Sequence, residues 1–130
     1  MATGAFGNAV LDLTFKAAAD LSDYQFHFVK ISADHTVNLC GANERAIGIL
    51  QNEPDAANES ATVRVLGVSK LVAGEGIAVG KMITSKSDGH GEVADAASEW
   101  VGALALKAAS DSGDIIEVLV THFDAYESDA

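Results

Sequence analysis

Two stretches of this chain, Ala46–Leu50 and Trp100–Leu104, follow the same pattern. Each is an apolar run broken by one glycine, Gly48 or Gly102. A polar, turn-rich connection follows, and an alternating segment follows that: Thr62–Leu66 in the first copy, Ile116–Val120 in the second. Alternation with period two puts Val63 and Val65 on one side of a strand, and Ile116, Val118 and Val120 on one side of another. An apolar strand, a short polar loop and an alternating strand make a hairpin, and hairpins at short spacing build a barrel or a sandwich. The expected fold is therefore mostly β, a small β-barrel or β-sandwich with at most one or two short helices.

The rest of the chain supports this reading. Val10–Phe15 alternates, with Leu11, Leu13 and Phe15 on one face, and predicts a half-buried strand. Leu21–Ser32, carrying Tyr24, Phe26, Phe28, Val29 and Ile31, predicts a strand apolar on both faces, and Thr36–Cys40 a short one. Asn52–Ser60 holds the only proline, Pro54, and reads as a surface loop. Val68–Val72 continues as a strand beyond a bend or bulge at Gly67, and Ile115–Phe123 closes the series. Ala73–Gly80 has too many glycines for a helix, each costing about 1 kcal/mol relative to alanine. Glu92–Ala108 fits helical spacing at Val93, Ala96, Ala97, Trp100, Val101 and Leu104, so spacing alone leaves helix and strand open. Analogy with the first copy favours a strand over Val101–Leu106, after at most a helical turn at Ala94–Glu99. Three parts result: a Gly-rich, flexible N-terminal arm (1–9), one β-rich domain (10–123) and an acidic tail (124–130).

Charge narrows the choice of partner. Nineteen acidic residues face eight basic ones, for a formal net charge of −11 across 130 residues. Phosphate backbones and anionic membranes are bound by Lys and Arg, so neither nucleic acid nor a membrane is expected. No apolar stretch is long enough to span a bilayer, and nothing near Met1 reads as a secretory leader. Cys40 is the only cysteine, which excludes an internal disulfide.

Candidate chemistry is sparse. His27, His35, His90 and His122 share no metal-ligand spacing. Nothing around Cys40 would lower its thiol pKa, so it reads as a buried apolar residue. Gly74-Glu75-Gly76 and Gly80-Lys81 miss the spacing of a phosphate-binding loop, and Lys81 leads into an apolar run rather than sitting at a turn centre as a cofactor-carrying lysine would. Ser22-Asp23, Asp111 and Asp114 read as solvated loop charges. Neither a catalytic group, a cofactor nor a metal is expected. A different class of function, a small ligand- or carbohydrate-binding barrel such as an adhesion module on a virion, would use Tyr24, Phe26 and Trp100 as a stacking platform.

The second half carries a family signature. Leu71-Val72-Ala73-Gly74 leads through Ile77 and Gly80 to Ile83. Gly91-Glu92-Val93, Val101-Gly102-Ala103-Leu104 and Gly113-Asp114-Ile115-Ile116-Glu117-Val118-Leu119-Val120 follow. This resembles the bacteriophage capsid decoration, or cement, proteins over roughly residues 46–120. The resemblance implies a compact β-barrel or β-sandwich, often a homotrimer, made in the host cytoplasm and placed on the outer surface of the capsid. It implies binding to the major capsid protein, cementing of neighbouring subunits and no catalytic residues. In several such proteins an N-terminal arm contacts the capsid. Here that arm corresponds to Ala2, Thr3, Gly4, Ala5, Phe6, Gly7, Asn8, Ala9 and Val10. Such a segment suits strand addition to a partner's sheet, where backbone hydrogen bonds supply the contact.

Overall fold

The computed structural model describes residues 9–125. These residues form ten strands and no helix. The strands are β1 (Leu11–Ala17), β2 (Phe28–Ala33), β3 (Thr36–Leu39), β4 (Gly48–Leu50), β5 (Ser60–Leu66), β6 (Val68–Val72), β7 (Met82–Ser85), β8 (Gly91–Val93), β9 (Trp100–Ala105) and β10 (Ile115–Asp124). The first five close a barrel in the order β1-β3-β2-β4-β5, and the rest form a second sheet in the order β6-β10-β9-β7-β8. A bridge between Ala73 and Gly91 brings the outer strands of the second sheet together and curls it on itself. Glu92–Ala108 is thus β8, a turn and β9, and both copies of the repeated pattern are antiparallel pairs: β4 with β5, and β9 with β10.

Each unit has its own core. Ala17, Leu21, Val29, Val37, Leu50, Ala61, Val63 and Val65 fill the barrel. Leu71, Ile77, Ile83, Ala103, Ile116, Val118 and Val120 line the inner face of the second sheet, with Phe28 and Ile49 contributed by the barrel. Phe28 is fully buried, and its ring lies so close to Gly102 that a Cβ there would stand 2.7 Å from Cε1. The glycine of the second copy is therefore required by packing. Gly48 has the same role in the first, where the Arg64 carbonyl and the Val63 side chain leave no room for a Cβ.

The seam between the units is also hydrogen-bonded. Phe28 N–H donates to the Gly89 carbonyl (2.9 Å) and Asn43 N–H to that of Ser85 (3.0 Å). Gln51 Nε2 donates to Ser69 Oγ (2.9 Å), and Val120 N–H to the Gly67 carbonyl (2.9 Å).

Two expectations need correction. The predicted strand over Leu21–Ser32 exists only from Phe28 onward, and Asp20–His27 is turn and loop. Phe26 has φ +66, a left-handed conformation that a strand excludes and that costs an aromatic residue of the order of 1–3 kcal/mol. Its backbone bonds explain why it is held there: Phe26 N–H donates to Leu50 of the barrel (2.7 Å), and its carbonyl accepts from Val72 of the second sheet (2.9 Å). The chain turns at Phe26 to join both units. The second correction concerns Val10–Phe15. Leu11 and Leu13 are 44% and 41% exposed, so this strand buries little of its apolar face until Ala17.

Candidate functional site

Among the described residues, the four histidines and Cys40 come together at one point only, where the His27 and His90 rings meet and His90 Nδ1 lies 3.0 Å from Asp88 Oδ2. Cys40 is buried; its thiol donates to the Glu44 carbonyl (3.8 Å), and burial pushes its pKa up to about 12. At neutral pH it is neither a thiolate nor a nucleophile. His27 and His90 stack, with ring centroids 4.6 Å apart, while His35 sits in the turn between β2 and β3. His122 Nε2 lies 2.8 Å from the Ile47 carbonyl. Among the described residues, no three His, Cys, Asp or Glu side chains group as a metal site. The acidic loops are explained by local structure. Asp114 accepts from the backbone N–H groups of Ser110 and Asp111 (2.8 and 3.1 Å), and Asp20 accepts from Ser22.

The three aromatic candidates do not form one platform. Tyr24 packs on the barrel core and edge-on to His27, while Phe26 lies at the seam beneath the Lys70 ammonium. Trp100 donates from Nε1 to the Ala46 carbonyl (3.0 Å), and Arg45 covers its ring at 4.8 Å. A cleft of about 460 Å³ opens beside it, lined by Ile31, Arg45, Ala46, Ile47, Trp100 and His122.

The surface feature that stands out is apolar. Gly67, at φ +99, joins β5 to β6 and so links the barrel to the second sheet. Leu66 and Val68 flank it. Leu11 pairs with Leu66, Leu119 pairs with Val68, and Leu104 pairs with Leu119. A Cβ on Gly67 would meet the Ala9 carbonyl at 2.5 Å and Val10 Cγ1 at 2.8 Å, so Ala9 and Val10 pass directly over this glycine. Leu66 is 52% exposed and Val10 42%. The collar lies beside paired charge. Arg64 donates from Nε and Nη2 to both carboxylate oxygens of Asp12 (2.8 and 3.0 Å), and from Nη1 to the Val68 carbonyl (3.0 Å). The Arg64 hydrogen bonds hold the Asp12 carboxyl below the usual carboxylate range.

Of the candidate contact residues, Ala9 and Val10 are exposed at this collar. Ala2, Thr3, Gly4, Ala5, Phe6, Gly7 and Asn8 lie outside the described residues. The collar itself escaped the sequence reading, because alternation assigned Leu11 and Leu13 to a core. The signal that could have found it is Leu66-Gly67-Val68, two apolar residues around a bend where two sheets meet.

The family described as phage cement protein matches residues 5–122. The chain belongs to the phage cement protein family. It is therefore a structural protein of a phage virion, located at the capsid. The cement protein also resembles a solved structure, the head fiber gp8.5 N base in bacteriophage phi29, with TM-score 0.67 and 18% identity over 92% of this chain and 100% of that one. At that identity the likeness is one of fold. No curated protein matches.

Proposed function

We propose that this cement protein binds the outer surface of an assembled phage head as a homotrimer, joins neighbouring major-capsid subunits and has no catalytic activity. The observation that carries this reading is the family match, which spans nearly the whole fold. The exposure of Ala9 and Val10 supports it, since a partner can reach them without disturbing either core. A copy that binds only the assembled lattice stabilises it by mass action, and bridging adds avidity without any covalent step.

The test is co-sedimentation with phage heads that lack the protein, comparing the full chain with one from which Ala2–Asn8 is deleted. The full chain should pellet with heads and the deleted chain should stay in solution. Equal pelleting of both would remove the arm from the proposal, and pelleting of neither would remove capsid binding.

A further inference from the structure

We propose that the stacked His27–His90 pair is a proton-operated latch, holding the turn between β7 and β8 against the barrel and letting it go when both imidazoles are charged.

The latch is set where the two units meet. His27 is buried in the loop that leads into β2, and Leu50 N–H donates to its carbonyl (3.0 Å), which fixes it to the barrel. His90 belongs to the turn of residues 86–90, between β7 and β8 of the second sheet. That turn is seated on the barrel at one glycine. A Cβ on Gly89 would stand 2.5 Å from Leu39 Cδ1 and 3.3 Å from His27 Cβ, and the Gly89 carbonyl accepts from Phe28 N–H (2.9 Å). The turn is also closed within itself, by Lys86 N–H to the His90 carbonyl (2.8 Å) and Gly89 N–H to that of Lys86 (3.1 Å). It can therefore leave the barrel as a piece, without taking either core apart.

The charges around the pair make it sensitive to protons. His27 Nδ1 lies 3.0 Å from the Gln25 carbonyl, which only accepts, so Nδ1 carries the hydrogen of the neutral ring and a further proton must go to Nε2. His90 Nδ1 lies 3.0 Å from Asp88 Oδ2, so one carboxylate serves two imidazoles. A proton on His90 finds its counter-charge there. A second proton puts two cations in rings 4.6 Å apart, one of them buried. Among the described residues, the other groups packed around the pair do not offset it. Tyr24 meets His27 edge-on from its own loop (5.3 Å), β3 presents Leu39, and Lys86 turns its ammonium to the Gly74 carbonyl (3.2 Å). Burial first, and the facing His90 as well, hold the His27 pKa below the usual histidine value, in agreement with this geometry. Away from the turn, His27 gains water and loses the facing cation. Opening therefore takes up a proton, and falling pH drives it.

The test is hydrogen exchange of the full-length protein at about pH 7.5 and about pH 5, read for single amides by NMR and corrected for intrinsic rates. In wild type, Phe28 N–H, which reports the bond to Gly89, should lose about tenfold or more of its protection at the lower pH, while the amides of β5 and β10 keep theirs. His27→Gln should abolish the loss. His90→Gln should reduce it, because the facing cation is gone, and Asp88→Asn should enlarge it, because the counter-charge is gone. Opposite shifts from two neighbours in one turn are not what a merely structural role would give, and they carry the test if His27→Gln fails to fold. The control His35→Asn, in the turn between β2 and β3, should change nothing. Equal protection of Phe28 at both pH values would overturn the latch. So would a loss shared by β5 and β10, which is acid unfolding of the whole chain, or a loss that survives His27→Gln.

Discussion

Phe28→Ala and Gly102→Ala should each destabilise the protein, and the pair together should cost much less than the sum. Phe28 is fully buried where the barrel meets the second sheet, so its truncation leaves a cavity worth about 3–5 kcal/mol. Gly102→Ala does the opposite. Its new methyl would stand 2.7 Å from Phe28 Cε1 and 3.2 Å from Cζ, and a ring packed on all sides cannot move away freely. Overpacking of that kind costs about 1–3 kcal/mol. With the ring gone, the methyl enters the vacated space, and the second substitution becomes close to neutral or mildly stabilising. The coupling energy should therefore be about 1–3 kcal/mol in favour of the double variant. Urea unfolding followed by circular dichroism gives all four stabilities. Costs that add to within about 0.5 kcal/mol would refute the claim that Phe28 locks the two units through Gly102.

Other outcomes follow from the same structure. Asp12 has a lowered pKa through its hydrogen bonds to Arg64, so its contribution is present above the unfolded carboxylate value and is lost as pH falls through the lower folded value. Asp12→Asn should flatten the stability profile below about pH 4, and unchanged acid unfolding would argue against the pair. Burial lowers the pKa of His27, so the unfolded chain takes up the proton first; stability is full above about pH 6.5 and declines as pH falls toward the folded value. His27→Gln should remove that slope in urea titrations between pH 6.5 and 5, and an identical slope would assign it elsewhere. Cys40 should not react with a thiol reagent at pH 8 until the protein unfolds, whereas rapid labelling of the native protein would contradict its burial.

Where two-residue alternation meets a two-sided environment, the sequence is legible. β5 and β10 were readable because Val63 and Val65, and Ile116, Val118 and Val120, face a core while their neighbours face solvent. The repeated glycine pattern likewise resolved β9, which spacing alone left between helix and strand. Leu21–Ser32 misled because its apolar residues serve two cores across a turn: Tyr24 packs on the barrel, Phe26 on the second unit. Periodicity does not reveal a left-handed aromatic held by hydrogen bonds from two sheets. The collar was hidden for a related reason. Leu11 looks like a core residue in the alternation of β1, yet it is 44% exposed, while Leu66 falls on the solvent face of β5, opposite Val63 and Val65.

The most direct test of the account is saturation binding of the purified protein to undecorated phage heads, followed by heating of the decorated and bare heads. The account predicts saturation at a fixed ratio to the major capsid protein and a higher temperature for loss of packaged DNA from decorated heads. Heads that bind none of the protein, or that bind it and fail at the same temperature as bare ones, would contradict it.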